Sequence, residues 1–157
     1  MSEKQSIIQL ITAKAVLKAM TPEAKDAIPR NLLEHDMVRI CQFPFRVGRE
    51  MRIKKIGVDL MKVERVKPSK QEPSNDLYLI DTRQPRNISK EHFLIEKSSS
   101  GYTLIDCGSD CGTTVGTIRI EGQDSNSEAK LEDGDIIAVG TKNTPYLFKF
   151  ITLENQN

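Results

Sequence analysis

Four short stretches carry the residues able to do chemistry: Phe45-Arg46-Val47-Gly48-Arg49, Ser89-Lys90-Glu91-His92-Phe93, Asp106-Cys107-Gly108-Ser109-Asp110-Cys111-Gly112-Thr113 and Leu131-Glu132-Asp133-Gly134-Asp135. The first two offer a guanidinium and a hydroxyl. A planar guanidinium meets two oxygens of a tetrahedral oxyanion at once, which an ammonium does not do. A short hydroxyl adds a donor without filling the site. Arg49 follows a strand-like run and Gly48, which permits a tight turn. Ser89 closes the turn-rich stretch Pro85-Arg86-Asn87-Ile88, just ahead of the next strand-like run. In this order the pair points to a phosphate held by loops at one end of a rigid scaffold. Taken singly, each residue has a plainer reading, the Arg as a solvated charge and the Ser as a turn cap.

Other chemistries find less support. Cys107 and Cys111 form C-x-x-x-C and could join His35, His92 and Cys41 around zinc, but no second pair stands at finger spacing. Cys111 and His92 could pose as nucleophile and base, yet no orienting carboxylate, oxyanion hole or Gly-x-Cys-x-Gly elbow accompanies them. The Gly108 to Gly112 turn lacks the Gly-Lys-Ser/Thr end of a nucleotide-binding loop. Asp133-Gly134-Asp135 reads as a turn before a strand, and Cys41 as a small hydrophobe within one. The residue set predicts a binding protein, with no catalytic group, metal or cofactor.

Such side chains need elements to hold them. Strand patterns fall at Met37 to Cys41, Phe43 to Val47, Leu77 to Ile80, Phe93 to Glu96, Tyr102 to Ile105, Thr117 to Ile120, Asp135 to Val139 and Tyr146 to Ile151. Gly, Asn, Ser and Asp clusters separate them, which predicts an all-β, two-sheet antiparallel sandwich over 31–153, followed by a short tail at 154–157. Residues 1–30 read as an N-terminal helical extension. Its first helix runs from residue 4 to about 20, with an apolar band broad enough to pack against something. Thr21-Pro22-Glu23 starts a second helix that Pro29 ends. This extension caps the sandwich or serves docking and self-association. Residues 50–74 form a basic insertion: Arg52, Lys54, Lys55, Lys62, Arg65, Lys67 and Lys70 stand against Asp59 and Glu64. Ile56 to Leu60 and Met61 to Val66 predict a hairpin, and Pro68, Ser69, Pro73 and Ser74 a loop. The insertion is either solvated or a second surface for an acidic partner.

Composition bounds the partners. With 157 residues and a formal net charge of +1, the chain has no global pull toward nucleic acid or membrane. It has no Trp and only 5% aromatics, too few for a base-stacking platform. No apolar run approaches the roughly 18 residues of a membrane span. Three cysteines are no disulfide framework and the N-terminus has no secretion signal, so a soluble protein of the reducing cytoplasm is expected.

The ordered set resembles the forkhead-associated (FHA) domain. Members of that family show Gly-Arg after an early strand, Ser-x-x-His before a middle strand, a Gly-Ser-x-Asn-Gly-Thr turn and a closing Leu-x-x-Gly-Asp-x-Ile. Here these are Gly48-Arg49, Ser89-Lys90-Glu91-His92, Gly108-Ser109-Asp110-Cys111-Gly112-Thr113 and Leu131-Glu132-Asp133-Gly134-Asp135-Ile136, within a resemblance covering about Met37 to Ile151. The resemblance implies about eleven strands in two sheets, with binding loops at one end, and a signalling module that binds phosphothreonine peptides. It implies phosphate contacts from Arg49 and Ser89, a further contact from Lys90, and peptide-facing positions at Asp110 and Cys111. It gives His92 a bracing role and makes Gly48, Gly112 and Thr113 supports of the loops. The chain departs from the pattern at Cys111, where the family has an Asn that bonds the peptide backbone. Losing such a bond typically costs about 1–3 kcal/mol, or roughly ten- to a hundredfold in affinity. Asp110 adds a carboxylate where a dianion would approach. The implied function is therefore phosphothreonine-peptide binding of weakened or altered specificity. The alternative is a phosphate-independent interaction or oligomerisation module using the N-terminal helices or residues 51–70.

Overall fold

The computed structural model describes residues 2–51, 53–56, 59–62, 75–122 and 127–154. In chain order the elements are α1 (Glu3–Ile11), β1 (Ala15–Ala19), α2 (Pro22–Ala27), β2 (Met37–Ile40), β3 (Phe45–Arg49), β4 (Ile53–Ile56), β5 (Asp59–Lys62), β6 (Leu77–Leu79), β7 (Phe93–Ser98), β8 (Gly101–Asp106), β9 (Thr113–Val115), β10 (Ile118–Ile120), β11 (Glu128–Leu131), β12 (Ile136–Val139) and β13 (Leu147–Thr152). Six strands form one sheet in the order β10-β9-β12-β13-β1-β2, and five form the other in the order β11-β8-β7-β3-β6. Period-two alternation turns one side of each strand inward, so β8 buries Tyr102, Leu104 and Asp106 while its odd-numbered neighbours stay half-buried. Leu17, Ile40, Val47, Phe93, Leu104 and Phe150 meet in the core between the sheets. This is the expected all-β sandwich.

Three features differ from expectation. Helix was predicted to about residue 20, but α1 ends at Ile11 and Ala15–Ala19 is a strand. Ala, Leu and Lys favour helix by propensity. Here they lie between β13 and β2, with Leu17 opposite Phe150 and Val38, and burial with sheet hydrogen bonding overrides that preference. The sandwich thus takes up its first strand ahead of residue 31. Second, α1 was expected to pack its apolar band, yet none of its residues is buried. Third, one strand pair is parallel: β6 lies beside β3 with Val47 opposite Leu77. The chain leaves the sheet after β3 and returns in the same direction, the geometry a crossover imposes.

Thr21 caps α2 as predicted, its hydroxyl accepting from the Ala24 N–H at 3.1 Å. In the basic segment β4 pairs with β5, so the strands are Ile53–Ile56 and Asp59–Lys62 rather than Ile56 to Leu60 and Met61 to Val66. This register sets Lys54 opposite Met61 and Lys55 opposite Leu60. The predicted loop at Pro68, Ser69, Pro73 and Ser74, the charges at Arg52, Arg65, Lys67 and Lys70, and tail residues 155–157 lie outside the described residues.

Candidate anion-binding site

The loops after β3, β6, β8 and β12 meet at one end of the sandwich. The Arg49 N–H donates to the Ser89 carbonyl at 3.0 Å, which brings the two sequence-predicted phosphate ligands together. Arg49 Nη1 donates to the Ile88 carbonyl at 2.7 Å, fixing the guanidinium beside the same loop. Gly48 makes this approach possible. A Cβ there would lie 2.1 Å from the Lys90 carbonyl oxygen and 2.5 Å from Asn75 Nδ2. Asn75 Nδ2 itself donates to that carbonyl at 2.9 Å. Ser89 Oγ accepts the Asp110 N–H at 2.9 Å and keeps its own proton for a guest.

The charges around Arg49 are mixed. Burial, and next the field of Arg86, push the Arg49 guanidinium below its ordinary pKa, while Asp81 and Asp110 act the other way. Among the described residues no carboxylate forms an ion pair with Arg49 or Arg86. A guanidinium within the field of a second one, and without such an ion pair, is a candidate seat for an anion. Arg86 is a member of this candidate site that the sequence reading missed. Its only local signal is a basic residue in the turn leading to Ser89.

His92 ties the loops together from beneath. It is fully buried. Its Nδ1 accepts the Ser89 N–H at 2.9 Å, and its Nε2 lies 2.8 Å from the Gly112 carbonyl. These partners require the neutral ring with the proton on Nε2. Burial lowers the ring's pKa from 6.5; the Gly112 carbonyl and the Asp106 and Asp110 carboxylates oppose this, and Arg119 reinforces it. The unfolded chain therefore takes up the proton first as pH falls. Stability from His92 is complete above the unfolded value and declines as pH drops below 6.5. Melting followed by circular dichroism is expected to show a lower Tm at pH 5.5 than at pH 7.5, with a shallower dependence in His92→Gln. Equal slopes would refute this role.

Asp106 organises the next loop. Its Oδ1 accepts the Gly108 and Ser109 N–H groups at 2.9 and 2.7 Å, and its Oδ2 accepts the Ser109 and Thr113 hydroxyls at 2.6 and 2.8 Å. Ser109 Oγ in turn accepts the Gly112 N–H at 3.0 Å. Gly112 has φ +81°, and a Cβ there would lie 2.5 Å from the Arg119 guanidinium. Arg119 donates to the Cys111 carbonyl and, at 2.6 Å, to the Gly140 carbonyl. Asp81 does the same work for the loop before Ser89, accepting from the N–H groups of Arg83, Asn87 and Ile88 and from the Tyr146 hydroxyl. The sequence reading missed Asp81, Arg119 and the bracing work of Asp106. Asp106, two residues before Gly108, and Asp81, two before Arg83, each show a turn-like local pattern, whereas Arg119 shows none.

The remaining predicted residues occupy the same end. Lys90 is exposed and its side chain makes no hydrogen bond or ion pair among the described residues. Asp110 is exposed and meets Ser89 through its backbone. Gly112 and Thr113 are buried beneath the loop. Cys111 Sγ lies 3.4 Å from the Arg86 carbonyl. Burial first, and Asp110 next, raise the Cys111 thiol pKa, the opposite of what a nucleophile needs. With both ring nitrogens of His92 committed to backbone, that ring serves neither as base for Cys111 nor as a metal ligand.

No curated protein matches the sequence. Solved structures do match in fold. The FHA domain of an Arabidopsis thaliana hypothetical protein aligns with TM-score 0.53 and 20% identity over 94% of this chain and 92% of that one. The FHA domain of the CT664 protein from Chlamydia trachomatis aligns with TM-score 0.52 and 18% identity over 89% of this chain and 98% of that one. Mycobacterium tuberculosis EmbR, solved in complex with a low affinity phosphopeptide, aligns with TM-score 0.53 and 18% identity over 98% of this chain but only 30% of its own. The sequence model described as "FHA domain" matches residues 46–140, from β3 to the end of β12. That span is more than half of the chain and carries every predicted ligand on the sandwich these structures share, so the chain belongs to the FHA domain family.

Proposed function

We propose that this protein is a non-catalytic interaction module that binds phosphothreonine peptides of a partner protein. The observation that carries this reading is the placement of Arg49 beside Ser89, with Arg86 adding to the positive field. A phosphothreonine brings about −1.5 to −2 charges and three acceptor oxygens. Arg49 takes two of those oxygens, Ser89 donates to the third, and Lys90 is long and unpaired enough to approach from the rim. Family membership and the phosphopeptide bound to the structural neighbour EmbR support the same reading.

Binding is weakened at Cys111. Its thiol is turned to the Arg86 carbonyl, and a thiol is a poor substitute for a carboxamide that would clamp a peptide backbone. Calorimetric titration with a phosphothreonine peptide library tests both statements. Wild type is expected to bind the phosphorylated peptides and not their dephosphorylated forms. Cys111→Asn is expected to bind roughly tenfold tighter through one recovered hydrogen bond. Equal affinity for the two peptide forms would end the phosphate reading.

The alternative, phosphate-independent reading draws on α1, whose Ile7, Ile8, Leu10 and Ile11 are 49%, 48%, 70% and 60% exposed. Under that reading, deletion of residues 2–12 abolishes partner capture while Arg49→Ala leaves it intact.

A further inference from the structure

The Arg49 guanidinium has two acceptors among the described residues. Nη1 donates to the Ile88 carbonyl at 2.7 Å, and Nη2 donates to the Met51 sulfur at 3.2 Å. A thioether is a weak acceptor, so it steadies Nη2 yet gives way to a phosphate oxygen. Met51 lies just past the end of β3, two residues after Arg49. It is 48% exposed, so small solutes have access to it. An oxidisable sulfur thus touches the residue that meets the phosphate. The thiol of Cys111, at the same end of the sandwich, is the poorer target. Burial first, and Asp110 next, raise its pKa and keep it in the less reactive protonated form. A thioether has no such proton, and its oxidation needs no ionisation.

We propose that Met51 is an oxidation site whose sulfoxide occupies Arg49 and weakens phosphopeptide binding. The inference rests on the phosphothreonine reading and adds a means of regulating that same seat. The oxidant is hydrogen peroxide. A sulfur lone pair attacks one peroxide oxygen, the S–O bond forms, the O–O bond breaks and water leaves. Sulfur is oxidised by two electrons and the peroxide is reduced by two. The new oxygen sits one bond from the atom that already accepts from Nη2, and it is a far better acceptor than the sulfide. A phosphate must then displace it to gain the second prong of the guanidinium. Methionine sulfoxide reductases, drawing two electrons from a dithiol, return the sulfide and free the prong.

Fluorescence anisotropy tests this with one phosphothreonine peptide free of Met and Cys, before and after hydrogen peroxide, with the sulfoxides located by mass spectrometry. The proteins are wild type, Met51→Leu, Met51→Gln and Met20→Leu, each checked for an unchanged melting profile. Met20 is 43% exposed and serves as the control for a methionine that does not touch Arg49. Peroxide is expected to weaken binding by wild type and by Met20→Leu about three- to tenfold, the scale of one hydrogen bond. Met51→Leu is expected to keep its own affinity through the same treatment. Met51→Gln places a carbonyl oxygen where the sulfoxide oxygen would stand, and is expected to bind as weakly as oxidised wild type with no oxidant present. Treatment with the reductases restores wild type. If wild type binds unchanged once Met51 carries its oxygen, or if Met51→Leu loses as much as wild type, the oxidation site is overturned while the phosphothreonine reading stands. If the untreated protein binds the phosphorylated peptide no better than its dephosphorylated form, both fall together.

Discussion

Arg49→Ala is expected to weaken phosphothreonine-peptide binding by roughly ten- to a hundredfold, because each hydrogen bond to a charged group is worth about 1.5–3 kcal/mol. The fold should survive. Arg49 is only half-buried, and its loss leaves the Ile88 carbonyl short of one donor, worth about 1 kcal/mol. Arg49→Lys separates charge from geometry. It keeps the cation but loses the two-pronged grip and the brace on Ile88, so its affinity should fall between the other two. Titration of the three proteins with one phosphothreonine peptide, alongside thermal melts, gives the answer. Equal binding by wild type and Arg49→Ala would remove the phosphate from the account.

Asp106→Ala carries the largest expected cost in stability. The side chain is 3% exposed and accepts from two N–H groups and two hydroxyls of one loop. Removing it leaves those donors unpaired at about 3 kcal/mol or more, a large share of the roughly 5–15 kcal/mol that holds a domain folded. For a chain of this length that corresponds to a Tm lower by about 10 °C. Asp106→Asn keeps the volume but offers two hydrogens where donors already point, so it should recover only part of the loss. Peptide affinity should fall with stability, because the same carboxylate sets the turn that carries the Asp110 N–H to Ser89. A melt unchanged in Asp106→Ala would show that the loop is held by other means.

The two variants act on different links of one chain. In the proposed reading Arg49 meets the guest and contributes little to the fold. Asp106, His92 and Asp81 are buried and hold the loops on which Arg49, Ser89 and Asp110 stand. Their hydrogen bonds satisfy backbone groups of loops that would otherwise be free to move, so binding does not bear the entropy of ordering those loops.

Much of this site was legible before the fold was known. Gly48-Arg49, Ser89 and His92, and Gly112-Thr113 stand in short motifs whose requirements are local: a glycine where another backbone approaches, a hydroxyl at a turn, a polar residue before a strand. Their order along the chain was enough to imply one anion site. The supports were not legible in the same way. Asn87 acts on Thr141, Asp81 on Tyr146, and Arg119 on the Gly140 carbonyl, partners separated by 54, 65 and 21 residues. Such pairs leave no periodicity or spacing to find. Arg86 looked like any surface arginine until the fold set it beside Arg49.

The amino-acid sequence by itself determined the sandwich, through strand alternation punctuated by turn residues, and the chemistry of the primary ligands, through residue types at fixed spacing. Tertiary structure alone decided that Ala15–Ala19 is a strand, because its helix-favouring side chains gain more by burial between β13 and β2. It alone decided that Asn87, Asp81 and Arg119 are spent on Thr141, Tyr146 and the Gly140 carbonyl. Whether a hydrogen-bonding group is free depends on what the rest of the chain brings to it, and those partners come from loops far apart in sequence.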